Sequence, residues 1–308
     1  MMKPEKIPGF RKSENLSGED SWILRNFSPY IRQSGNQWRP RWKMGNRKLL
    51  DYLLVFIASG EGVFSLDKQP FPVTAGDAVL IPPDTLHEMS GTSEKMHCIY
   101  LHFDLIYGSK RSHWDACIPG GTKDLSAFRE FMHPKLNNPF WAGLKGKLPL
   151  VNPNSLRALM LRICSLHTSG KADNAVRVSG IMFELLEEIK EQVLENENQK
   201  MLNHGRLLAA GRYITEHPDI VINIKKLAER SGFSESHFRR LFRQVHGLAP
   251  KTMHLQARIR KACEFLTYWD MNVSETAEKL NFPSIHAFSR TFRNVTGVSP
   301  LQYRKISH

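Results

Sequence analysis

Along the first third of the chain, apolar residues come in short bursts that end on turn residues. Between about residues 20 and 105, DYLLVFIA (51–58) is a continuous apolar run and GEGVFSL (60–66) follows a glycine turn. PFPVTAGDAVLIPP (70–83) alternates and stops on a proline pair, and MHCIYLHFD (96–104) alternates again. Short runs and period-two alternation between Gly, Pro and Asp turns are strand signals. Several of them in succession predict a small β-barrel or jelly roll. From 106 to 152 the pattern is weak, with room for one short helix around 125–132 and a last strand near KLPLV (147–151).

After Pro153 the period changes. Asn154 or Ser155 is placed to cap a helix running towards His167, with Leu156, Leu159, Met160 and Ile163 on one side. A second helix covers about 176–197, where Val178, Met182, Leu185, Ile189 and Val193 step by four, three, four and four into one stripe. The polar stretch NENQKMLN (196–203) reads as a linker. The division that follows is a barrel over 1–152, a helical dimerisation segment over 153–204 and an all-α domain over 205–308. The fold class is therefore α+β in two domains.

The last hundred residues repeat themselves. Ala228 and Phe233 return as Ala277 and Phe282 at an offset of 49. Phe238, Arg240, Phe242, Arg243, Val245, Gly247 and Pro250 return as Phe288, Arg290, Phe292, Arg293, Val295, Gly297 and Pro300 at an offset of 50. Each copy reads as a short helix (224–231, 273–280), a tight turn and a second helix (235–245, 284–295). Gly232 and Asn281 stand where the turn needs a positive φ, which these two residue types tolerate best. This is a helix-turn-helix written twice. Between the copies, PKTMHLQARIRKACEFLTYW (250–269) predicts a helix of about seventeen residues, hence about 25 Å long. A rod of that size suits two recognition helices set about one DNA turn apart.

Charge sharpens this picture. The chain carries a net +13, and from Arg206 onward 17 Lys+Arg stand against 8 Asp+Glu, so this third holds +9 of it. A concentrated basic region is the footprint of a polyanion-binding module. In each second helix the phenylalanines must face the core. The opposite face near the N-terminus then shows Ser236, Arg239 and Arg240 in the first copy, and Ile285, His286, Ser289 and Arg290 in the second. Such side chains would meet base edges, arginine bonding guanine O6 and N7 bidentately. Arg243 and Arg293 lie further round and suit phosphates.

On these residues the region from about 206 to 305 resembles the DNA-binding domain of AraC/XylS-type transcription regulators. The resemblance is carried by IKKLAERSGFSESHFRRLFRQVHGLAP and AEKLNFPSIHAFSRTFRNVTGVSPLQYR. Asn281 departs from that family, which usually has glycine there. The strand region resembles the family's cupin-like effector domain through GEGVFSL and PFPVTAGDAVLIPPDTLHEM, a less specific likeness because cupins also include enzymes. By resemblance, the segment leading into the barrel helps close an effector pocket.

The enzyme alternative, a metal-free sugar-active cupin fused to a DNA-binding module, is weighed by ligand count. A metal-binding cupin needs three histidines and a glutamate, and no histidine precedes His87. His97 and His102, five apart, point to opposite faces of a regular strand, too few converging ligands for a three-ligand site. The expectation is no metal, no cofactor and no catalytic residue. Effector candidates are Trp38, Arg39, Arg41 and Trp42 of NQWRPRW (36–42), with His87 and His102. Indole faces stack on sugar rings, and arginine bonds hydroxyls or carboxylates, so a carbohydrate is the expected ligand.

The remaining features set the surroundings. Cys98, Cys117, Cys164 and Cys263 form no CxxC pair and read as reduced thiols. The N-terminal stretch lacks an apolar leader, and no run of eighteen apolar residues exists. The expected protein is cytoplasmic, away from membranes. It would be a homodimer through the 176–197 helix, with duplex DNA, a small effector and RNA polymerase as partners. A non-specific nucleic-acid binder is the remaining alternative.

Overall fold

The computed structural model describes residues 18–113, 118–169, 174–269 and 271–307. The N-terminal stretch and Cys117 lie outside the described residues. The chain divides into two units, residues 1–196 and 197–308.

In the first unit α1 (Gly18–Asn26) leads into a seven-stranded antiparallel sheet. Its strands are β1 (Tyr30–Arg47), β2 (Tyr52–Ser59), β3 (Glu61–Leu66), β4 (Gln69–Thr74), β5 (Ala78–Ile81), β6 (His87–Asp104) and β7 (Gly146–Lys147). The order is β4-β3-β6-β2-β5-β7, with β1 on the other side of β6. Two strands, β1 and β6, are eighteen residues long, where short strands are expected. The first part of β6 pairs with β3, from His87–Leu66 to Gly91–Gly62, and its last part pairs with β2, from His97–Ser59 to Phe103–Tyr52. One long strand shared by two short ones curls the sheet into a half-barrel. The polar SGTSEK (90–95) reads as a turn in isolation, yet it continues the strand with Thr92, Glu94 and Lys95 in solvent.

Period-two alternation sends side chains to two different cores. Leu53, Val55, Ile57 and Cys98 join Phe64, Val73, Ile81 and Met89 on the inner face. Leu54, Phe56, Ile99, Leu101 and Phe103 face the other way, towards α3 (Pro153–Thr168) and α4 (Asn174–Glu216). The cap of α3 is Asn152, whose side chain accepts from the Asn154 backbone N–H, with Pro153 opening the helix. That replaces the expected cap at 154 or 155. The expected helix near 125–132 is a 3-10 turn (Ser126–Phe131), and α2 (Pro139–Gly143), capped by the Asn138 side chain, seats Trp141 in the core.

Two expectations are corrected by α4. Val178, Met182, Leu185, Ile189 and Val193 do form one stripe, but the chain's own sheet and α3 cover it, leaving each at most 5% exposed. Each such side chain is worth about 1.5–3 kcal/mol buried, and this burial is complete without a second copy. NENQKMLN is helix, not linker. It contains neither proline nor glycine, and its polar side chains solvate a helix as readily as a loop.

The second unit has two small cores. Leu207, Ala210 and Ile214 of α4 pack with α5 (Ile224–Arg230) and α6 (Glu235–His246) around Phe238 and Phe242. The end of α7 (Pro250–Tyr268) packs with α8 (Val273–Lys279), α9 (Ile285–Thr296) and α10 (Pro300–Ser307) around Phe288 and Phe292. Both turns contain their left-handed residue, Gly232 at φ 76° and Asn281 at φ 53°. Both second helices end on a left-handed glycine, Gly247 or Gly297, whose N–H bonds back to Arg243 or Arg293. Proline then opens α7 and α10 in the same register.

Candidate functional site

The sequence places two constellations, and each lies inside one unit. On α6 the buried phenylalanines fix which face is outward. Ser236, Arg239, Arg240 and Arg243 are all exposed. On α9 the same logic exposes Ile285, His286, Arg290 and Arg293 and leaves Ser289 half-buried. Ser284 caps α9, its hydroxyl accepting from the Ala287 N–H at 3.1 Å. Each helix thus presents a positive N-terminal end with arginines along one side. Arg239 is engaged within the chain, its Nη2 and Nε donating to Glu235 Oε1 at 2.6 and 3.0 Å. That pairing is missed by a reading of arginines alone, although Glu and Arg four apart announce it.

In the half-barrel, a cavity opens on the inner face between β1, β2 and β6, with about 510 Å3 of empty space, mouth included. Its polar lining is Gln33, Arg39, Arg47, Tyr100 and His102. Trp42, Met44, Leu53, Val55, Met89 and Cys98 supply the apolar walls. Of the expected effector residues, Arg39, Trp42 and His102 meet here. Trp38 and Arg41 do not line it. Trp38 is 60% exposed and stacks on His97, ring centroids 4.6 Å apart, and Arg41 is exposed. The register breaks between Pro40–Lys95 and Trp42–Gly91, so Arg39 and Trp42, three apart, share a face that strict alternation would deny them.

The polar groups are held from behind. Asp51, 2% exposed, takes Arg32 Nη1 at 2.7 Å and lies 3.3 Å from His102 Nδ1. Arg47 is buried, its Nη1 donating to the Ile118 carbonyl at 2.7 Å and its Nε to His87 Nε2 at 3.3 Å. His87 in turn has Nδ1 3.0 Å from the Thr85 carbonyl, and burial pushes its pKa down to about 4. It is a neutral imidazole that positions Arg47 from beneath the cavity. Tyr100 lies flat on Gly35, where a Cβ would stand 2.4 Å from the ring. Arg39 sits over both Trp42 and Tyr100, 5.1 and 5.6 Å from the ring centroids.

Tyr100 and Arg47 were not expected at the site. Alternation in MHCIYLHFD already puts Cys98, Tyr100 and His102 on one face, so Tyr100 was legible. For Arg47 and Asp51 no local signal exists, since both owe their place to long-range pairing. Among the described residues, no three His, Cys, Asp or Glu side chains are grouped to hold a metal ion. No helix among them is long and apolar enough to cross a membrane.

Comparison with known proteins matches two parts of the chain to family models. Residues 32–112 match the AraC-like ligand binding domain and residues 227–306 a helix-turn-helix domain. An uncharacterized HTH-type transcriptional regulator of Staphylococcus aureus is 29% identical over 155 residues, covering 50% of this chain. The match spans only 21% of that relative's length. The arabinose operon regulatory protein of Salmonella typhimurium is 24% identical over 258 residues, 82% of this chain and 83% of that protein. Among solved structures, the DNA-binding domain of AdpA in complex with a target DNA is 31% identical, covering 32% of this chain and 90% of that one, with a TM-score of 0.31.

Proposed function

Since the chain belongs to the AraC family of transcriptional regulators, we propose that it is a sequence-specific DNA-binding regulator whose half-barrel senses a small molecule. The observation that carries this reading is the doubled basic face, Arg240 with Ser236 on α6 and Arg290 with His286 on α9, each set outward by its own phenylalanine core. Two such helices in one chain read two segments of major groove, base edges by Arg240 and Arg290, phosphates by Arg243 and Arg293. Ile285, 45% exposed, is suited to a thymine methyl group. The effector enters the cavity of Arg39, Trp42, Tyr100 and His102, and a carbohydrate fits its mixture of ring faces and polar groups. The name of the Salmonella relative, an arabinose operon regulator, supports the same class. The regulator works in the cytoplasm, as a homodimer, alongside RNA polymerase, and without turnover of its ligand.

Selection from a random duplex pool tests this reading. The protein is expected to enrich one sequence and to bind it about a thousandfold or more tighter than random DNA. Equal affinity for both makes it a non-specific binder. Consumption of a sugar by the purified protein would favour the metal-free enzyme.

A further inference from the structure

We propose that the half-barrel cavity takes a polyhydroxylated carboxylate, a sugar acid rather than a neutral sugar, and that Arg39 holds its carboxylate. This rests on the reading of the cavity as the effector site. Among the described residues none lining the cavity is acidic, whereas Arg39 and Arg47 both line it. Arg47 is buried and spends donors on the Ile118 carbonyl and on His87, which makes it part of the wall.

Arg39 stands differently. Its Nη2 reaches only the amide oxygen of Gln37, at a long 3.3 Å, and no carboxylate among the described residues pairs with it. Its guanidinium lies over the Trp42 and Tyr100 rings, which attract it without supplying a counter-charge. Its charge also reaches the inner wall, where it acts on the Cys98 thiol. A guanidinium positioned against two ring faces keeps its fork of donors for two parallel N–H···O bonds to a carboxylate.

Among the described residues, the carboxylate behind the cavity is already taken. Asp51 is paired with Arg32 and with His102 Nδ1. Held there, His102 keeps Nε2 for a ligand hydroxyl, and the amide of Gln33 is a second polar contact on the lining. The Trp42 and Tyr100 rings offer faces to the C–H side of a sugar frame. A neutral sugar would satisfy His102 and Gln33 and leave the Arg39 charge unanswered.

The test is calorimetric titration of the full chain with two matched series. One holds D-galacturonate, D-glucuronate and D-gluconate; the other holds galactose, glucose and the methyl esters of the two uronates. The expected result is that an acid binds, and that its ester and neutral parent bind roughly ten- to a hundredfold more weakly, the worth of a charge-assisted hydrogen bond. In Arg39→Gln the acid and the ester become equal, and Arg39→Lys keeps part of the preference, which separates lost charge from lost fold. Met44→Trp, which fills the cavity from its rim, abolishes binding of both series. Neutral sugars binding as tightly as acids, or an acid preference that survives Arg39→Gln, overturns the carboxylate assignment. If that neutral binding is lost in Met44→Trp, the effector reading stands without it. Binding by neither series overturns both.

Discussion

Arg239 and Arg240 are neighbours on α6, but their surroundings give them different tasks. Arg239 is tied to Glu235 four residues back, so to reach DNA it must leave an ion pair. Among the described residues, Arg240 has no such tie. Arg240→Ala and Arg290→Ala are each expected to lose about 1–3 kcal/mol on the selected site and to relax preference at one base position. Arg243→Ala should weaken all sequences by one factor and reduce the salt slope by about one. Anisotropy titrations on selected and random duplexes at two salt concentrations separate these outcomes. A second residue-scale expectation concerns acid. Burial holds His87 and His133 at about 4, below the 6.5 of an exposed imidazole. The unfolded chain therefore binds more protons than the native one between about 4 and 6.5, and stability falls as pH drops through that window, by up to about 3 kcal/mol for each. Asp104, raised to about 6 by burial, works the other way, regaining on acidification what it costs at neutral pH. Two histidines outweigh one carboxyl, so the urea midpoint of the half-barrel should fall from pH 7 to pH 4.5. A midpoint that rises contradicts the assignment.

At the scale of elements, the helical half was legible in the sequence because its signals are local. The paired phenylalanines, the left-handed Gly232 and Asn281, and the capping glycines and prolines all act within a few residues of where they stand. The half-barrel was legible only as strands. That Trp38 points out while Arg39 and Trp42 point in depends on the register of β1 against β6 and on its break after Pro40, which no short window contains. The α4 stripe falls between these cases. Its periodicity shows that it is buried, but not what buries it. With the stripe sealed against the sheet, glutamate at Leu185 or Ile189 places a charge in a core, at an expected cost above about 4 kcal/mol, so these variants should unfold the first unit. A folded monomer with an unchanged melting temperature would return the stripe to a dimer interface. Gly35→Val probes the cavity wall in turn. The added side chain meets the Tyr100 ring, a movable neighbour, so the fold should lose only about 1–3 kcal/mol while ligand affinity drops sharply. Unchanged titration would remove Tyr100 from the site.

For the whole molecule, the cavity and the basic helices belong to separate units, 1–196 and 197–308. A ligand in one can alter DNA binding by the other only through differential affinity for two states, and the effect must be reciprocal. The proposed reading has one chain meet DNA twice, once with α6 and once with α9. Sequencing the duplexes selected by the wild-type chain, by Arg240→Ala and by Arg290→Ala tests it most directly. The expected site has two blocks of preferred bases whose centres lie about one helical turn, roughly 10 base pairs, apart. Arg240→Ala should erase preference within one block and Arg290→Ala within the other. A site with one block, or two variants that blur the same positions, would contradict it.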